Sequence, residues 1–177
     1  MVQSKEPIMR KLLPTTLPVL FALCLGGAAY AQDEGFLTSL DGKWGGSGAV
    51  RVDAGSSPVR VNCKFDSDTT ARSMALDGSC TGLVVVSRDI GATIKADGDR
   101  YTGTYIGSRT GPAGLNGKQS GNALNLAIRW AADVNGDRFA QLKLEKVGDN
   151  GMRLTTLDKD PQTGKSVVIS KIELRRL

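Results

Sequence analysis

The sequence contains no histidine among its 177 residues. A Ser-His-Asp triad, a Cys-His pair and an imidazole metal site are therefore all excluded. Cysteine is scarce as well: three residues cannot form a Cys₄ zinc site or a disulfide-dense scaffold. Aromatics make up only 5% of the chain, so each one in a patterned position carries weight. Block charge is also missing. The formal balance is +5 and is spread over every segment, with nothing denser than Arg175-Arg176, so nucleic acid is not an expected partner.

Long apolar runs are limited to the N-terminus. Arg10 and Lys11 precede an uninterrupted apolar stretch, Val19 to Ala29, of 11 residues. A membrane span needs about 20. Ala29-Tyr30-Ala31 then places small residues at −3 and −1 before Gln32. This is the layout of a cleavable secretory signal. Met9 directly before the basic pair offers an alternative start to Met1. A lipoprotein reading through Cys24 fits poorly, because Leu23 stands where a small residue is required. Residues 1–31 thus read as a leader and residues 32–177 as one domain, with no membrane span. Cleavage leaves 20 basic against 17 acidic residues, a balance of +3. The periplasm, or secretion beyond it, is the expected location.

That domain retains Cys63 and Cys80, an even pair in an exported chain, which reads as one disulfide. Val59, Val61, Cys63 and Phe65 alternate with Arg60, Asn62 and Lys64, and Leu76, Gly78 and Cys80 form a second alternating set. Folded as a hairpin across Asp66–Thr70, both sulfurs fall on one face of neighbouring strands.

Glycine is abundant, 22 of 177, and helix patterning is nearly absent. One short helical turn is predicted over Asp33 to Leu40. Short period-2 segments then follow one another between turn residues. The clearest is Leu124, Leu126, Ile128 and Trp130 against Asn125, Ala127 and Arg129. Phe139–Val147 places Ala140, Leu142 and Leu144 inward. Leu83–Val86 reads as a buried strand, Ala131–Arg138 as a loop, and a slip in the alternation of Ser166–Leu177 as a bulge. Eight to ten strands at this spacing predict an all-β, antiparallel barrel or flattened barrel, because closure removes exposed edges.

Gly42-Lys43-Trp44 resembles the Gly-x-Trp that opens the first strand in the calycin superfamily of lipocalins, avidins and related barrels, where a helical turn commonly precedes it. The resemblance implies that Trp44 plugs one barrel end and that a basic residue of the last strand, Arg175 or Arg176, packs across it. The whole domain resembles a group of small exported alphaproteobacterial proteins of unassigned function. The matching segments are Gly42–Gly48, Val59–Cys63, Gly103-Thr104-Tyr105, Leu115-Asn116-Gly117 and Ile172–Arg176. That likeness implies fold and compartment, and no catalytic residue.

Candidate chemistry is thin. The acidic clusters Asp97-Gly98-Asp99, Asp133–Asp137 and Asp158-Lys159-Asp160 lack EF-hand spacing and read as turns, so no metal or other cofactor is expected. Glu145 and Glu173 fall on polar strand faces, which speaks against paired catalytic carboxylates. Lys118/Ser120 is a minimal Ser-Lys spacing. Gly45-Gly46-Ser47-Gly48 opens no helix and is a barrel corner rather than a phosphate loop. Trp44, Tyr105 and Trp130 sit on inward parity and are the candidate ligand-binding residues, braced by Arg175 or Arg176. The expected function is non-enzymatic binding of a small apolar or amphipathic ligand or an envelope component. The alternatives are a protein-partner module using Ala131–Arg138 and Arg109–Pro112, such as an inhibitor or host-directed effector, and a histidine-free hydrolase.

Overall fold

A computed structural model describes residues 31–83 and 86–177. The predicted leader, apart from Ala31, lies outside the described residues. Helix α1 spans Ala31–Thr38 and is followed by ten strands. These are β1 (Gly42–Val50), β2 (Val59–Thr69), β3 (Ser73–Gly82), β4 (Val86–Asp97) and β5 (Arg100–Ile106). The second half comprises β6 (Ala113–Ser120), β7 (Ala123–Val134), β8 (Asp137–Val147), β9 (Gly151–Lys159) and β10 (Ser166–Arg176). Each strand pairs antiparallel with its sequence neighbours, and β1 closes on β10. The result is an up-and-down closed barrel, as the strand spacing predicts.

The inner face is apolar because period-2 alternation is maintained around the ring. Val61, Cys63 and Phe65 point inward from β2, and Leu124, Leu126, Ile128 and Trp130 from β7. Their outward neighbours, among them Arg60, Lys64, Asn125 and Arg129, are exposed. A membrane-spanning barrel shows the reverse, an apolar outer band. Among the described residues, no helix is long and apolar enough to cross a membrane.

Glycines set the curvature. A methyl group at Gly46 would overlap the Glu173 carbonyl, and one at Gly48 the Lys171 carbonyl, both on β10. Bare backbone there lets the first and last strands approach where the sheet bends most. Inward glycines at these positions therefore fill with backbone and leave no void.

Four details depart from the sequence reading. Helix α1 begins two residues earlier than predicted, and Ser39 and Leu40 form a turn after it. Asp66–Thr69 is not a loop: β2 runs through it, and Ser67 is buried on the inner face. Leu83 is not in a buried strand. It sits in the β3–β4 turn with φ of 47° and is 68% exposed, and Val86 is also exposed. Val84 and Val85 lie outside the described residues. A continuous apolar run shows no alternation, so it could not place Leu83 in a turn. Finally, Ala131–Arg138 is not an open loop. β7 continues to Val134, and Asn135-Gly136 turns directly into β8, with Asn135 at φ of 53°. The predicted slip in the last strand is present, as a register shift between Val168 and Ser170.

Cys63 and Cys80 are bonded and stand directly opposite each other on β2 and β3, with Cα atoms 4.1 Å apart. Both are buried. A buried disulfide is the mark of a chain that folds where thiols oxidise. The bond closes a segment of 17 residues, so the Cys63→Ala/Cys80→Ala double variant is expected to lose about 3 kcal/mol of stability. Urea unfolding of oxidised wild type against that variant measures it.

Candidate functional site

The barrel has two unlike ends. One is sealed. Phe36, Leu37 and Leu40 from α1 and the turn after it pack onto Trp44, which is fully buried. The Trp44 indole Nε1–H donates to the Leu40 carbonyl at 3.0 Å. The Arg176 guanidinium lies over the Trp44 ring, 4.4 Å from its centroid. It also donates to the Ser39 carbonyl at 3.0 Å and to the Asp41 carbonyl, so one side chain ties the last strand to the turn after α1.

Arg175 takes no part in this arrangement. It stands opposite Gly45, on the outer face, and is exposed. Strand parity is the reason: Ile172 and Leu174 point inward, so Arg176 shares their face and Arg175 does not.

The other end is open. It encloses a cavity of about 430 Å³. Its floor is apolar, built from Phe65, Leu76, Ala92, Leu142, Leu154 and Ile172. Tyr105 from β5 and Trp130 from β7 line its wall with ring centroids 6.0 Å apart, edge to face. The Trp130 backbone carbonyl is held by the Arg138 guanidinium at 3.0 and 3.1 Å. Its indole Nε1–H is buried and finds no acceptor among the described residues. Burial pushes the Tyr105 phenol upward, and the Arg88 guanidinium pulls partly the other way.

Three arginines, Arg51, Arg88 and Arg109, line the mouth. Arg88 stands opposite Cys80 on the same inner face as Ile90 and Ala92. Arg109 Nη2 donates to the Val52 carbonyl at 3.4 Å, and Arg51 Nη1 to the Ser56 carbonyl.

Of the five candidate ligand-binding residues, then, the structure brings only Tyr105 and Trp130 together at this cavity. Trp44 and Arg176 meet at the opposite end, and Arg175 faces outward. The sequence reading missed Asp158. It is not in a turn: it points inward at the open end of β9 and is 5% exposed. One carboxylate oxygen accepts from Asn135 Nδ2 at 2.9 Å and the other from the Lys159 amide at 2.8 Å. The Asn135 carbonyl oxygen in turn accepts from the Ala54 amide at 3.3 Å, which ties the β1–β2 loop to the β7–β8 turn. The inward parity of Met152 and Leu154 was the signal that could have found Asp158.

Glu145 and Glu173 do lie on the polar strand faces, as read. They join Lys143, Arg153 and Lys171 in an outer ladder of ion pairs, with Lys143–Glu145 at 2.8 Å and Arg153–Glu173 at 3.3 Å.

Two measurements check this arrangement. Arg176→Ala removes the ring contact and the charged hydrogen bonds and is expected to destabilise by about 2–3 kcal/mol. Arg175→Ala is expected to stay within about 0.5 kcal/mol of wild type by the same thermal unfolding. The pH titration concerns Asp158. Burial raises its carboxyl above the ordinary value of 3.8, against the hydrogen bonds from Asn135 and Lys159. The Gln162 amide lowers Asp160 below 3.8. Carboxyl ¹³C titration is expected to order Asp158 above Asp160. From 3.8 up to Asp158's raised midpoint, the folded state binds more protons than the unfolded one, so this group's contribution to stability falls as pH rises. No protein-family model matches the chain, and no curated protein matches it.

Proposed function

We propose that this chain is an exported, non-enzymatic barrel that holds a small apolar or amphipathic molecule, or an envelope component, in its open end. One observation carries the reading. An apolar-floored cavity of about 430 Å³ stands open at one end of the barrel, with the edge-to-face pair Tyr105 and Trp130 in its wall. Small-molecule sites fall in the range of roughly 300–1,000 Å³, mostly apolar with a few placed polar groups. The leader pattern and the buried Cys63–Cys80 bond support the periplasm, or secretion beyond it, as the place of action.

In this reading Trp44 and Arg176 are structural. They close the far end, so that ligand enters only past Arg51, Arg88 and Arg109. Tyr105 and Trp130 are the contacting aromatics. A protein partner seated on the open rim is a second reading, supported by the exposed apolar side chains there: Val52, Leu83, Val86 and Ile106 are each more than half exposed. Hydrolysis is less favoured, because Asp158 is already engaged by Asn135 and the Lys159 amide.

The test uses the neutral apolar probe N-phenyl-1-naphthylamine. Its fluorescence is expected to rise on mixing with the protein. Ala92→Trp, which places a large ring inside the cavity, is expected to abolish the rise while the circular dichroism stays that of a β-barrel. Native mass spectrometry of protein taken from its own envelope is expected to show a non-covalent adduct. An unliganded mass together with a silent probe would overturn the reading.

A further inference from the structure

We infer that the rim of the open end accepts an extended segment of another polypeptide, which adds to the bare edge of β4 over Val86–Ile90 as one more antiparallel strand. The inference goes beyond the cavity reading and does not need the cavity to be filled.

The bare edge follows from unequal strand lengths. β4 and β7 have 12 residues each, whereas β5 and β6 between them have 7 and 8. β3 accompanies β4 to its rim end, with Gly82 opposite Val86. β5 stops short: its last pair with β4 is Ile106 opposite Gly91. From Val86 to Ile90, β4 is therefore paired on one side only among the described residues. Every second residue of such a stretch turns its N–H and C=O toward the missing neighbour. Among the described residues, none of them makes a backbone hydrogen bond outside the β3 ladder.

The β5–β6 connection turns toward the mouth rather than along this edge. Gly107, at φ of 134°, bends the chain away, and Gly107 to Thr110 line the cavity. Arg109 Nη2 reaches across to the Val52 carbonyl at 3.4 Å. The connection's one hydrogen bond to the bare stretch, among the described residues, is a long one, from Arg88 Nη1 to the Gly107 carbonyl at 3.4 Å. Val86 to Asp89 are exposed on both faces of the strand. An exposed edge of this kind is a template for a further strand.

The side chains specify the guest. Val86, Arg88 and Ile90 share the inner face, and Ser87 and Asp89 the outer. Arg88 and Asp89 join none of the ion pairs found among the described residues. Opposed side chains on neighbouring strands lie on one face, where opposite charges attract and like charges repel. The edge therefore fits an acid opposite Arg88, a base opposite Asp89 and apolar side chains opposite Val86 and Ile90. A second copy of this chain fits poorly. Two-fold pairing centred on Arg88 sets that guanidinium against itself, and pairing centred on Asp89 does the same to the carboxylate. In strand addition the backbone supplies affinity and the alternate side chains supply specificity, so the occupant is a different chain with the complementary pattern.

The probe is the labelled peptide Thr-Val-Lys-Glu-Thr-Val-Thr, which sets its Glu opposite Arg88 and its Lys opposite Asp89 when antiparallel. Fluorescence anisotropy against the full chain at low salt is expected to show saturable binding. Arg88→Glu is expected to weaken it about tenfold, the swing from an attractive to a repulsive opposed pair. The double variant Arg88→Glu/Asp89→Lys is expected to lose this peptide and to bind the charge-swapped Thr-Val-Glu-Lys-Thr-Val-Thr in its place. Both positions are exposed, so circular dichroism is expected to stay that of the wild-type barrel. N-methylation of one alternate set of peptide amides is expected to abolish binding, and of the other set to spare it, because only one set faces β4. Hydrogen exchange of alternate amides in Val86–Ile90 is expected to slow on peptide addition. Absence of binding, equal effects of the two N-methyl sets, or failure of the charge swap to transfer would overturn the proposal. So would a free chain that sediments as a dimer with these amides already protected, which would make a second copy the occupant. Each of these outcomes leaves the cavity reading, reported by the naphthylamine probe, standing.

Discussion

Closure of the first strand on the last is the constraint from which the other features follow. β1 and β10 pair over seven consecutive positions, Trp44 with Arg176 through Val50 with Ser170. An open ten-strand meander would leave both strands as bare edges, each a template for aggregation. Closing it demands backbone approach at the seam, and Gly46 and Gly48 allow that approach where a side chain would strike β10. It also demands that something hold the final turn of the ring. Arg176 does so: it reaches from the last strand across the Trp44 ring to carbonyls of the segment that precedes the first.

Once the ring is closed, its two ends divide the work. The sealed end collects the bulk: Trp44, Leu37, Leu40, Met74, Tyr101, Leu124 and Met152 are all essentially inaccessible to solvent. The stability of the domain is concentrated there, in dense packing around one plug. The open end is less filled. Its inner positions carry smaller or half-buried side chains such as Ala92, Thr156 and Ser170, and its aromatics stand edge to face at the wall. A cavity is energetically unfavourable unless something occupies it. The full plug below makes this looseness tolerable above.

The disulfide and the Asn135–Asp158 link brace that looser half. Cys63–Cys80 spans β2 and β3 on the inner face, next to the inward Arg88 on β4. Asn135 joins the β1–β2 loop to β9 from across the mouth. Both tie separate strands and loops of that half to one another.

Much of this was legible in the residues. Period-2 alternation is a local property of the chain, so it revealed the strands, the inward face, the Cys63–Cys80 pairing and the bulge of β10. Parity also contained the choice of Arg176 over Arg175 and the inward aim of Asp158, although the Asp-Lys-Asp run disguised the latter as a turn. What alternation could not express is which inward residues share a level of the barrel. That depends on how each strand is staggered against the next around a closed ring. Trp44 and Trp130 therefore have the same pattern in sequence yet sit at opposite ends, one as a plug and one as a cavity wall. Leu83, in a run that has no period, was placed only by the turn that follows β3. Local order along the chain determined the ribbon and its two faces. Closure alone decided the depth of each side chain, and hence the site, because depth is a relation among all ten strands at once.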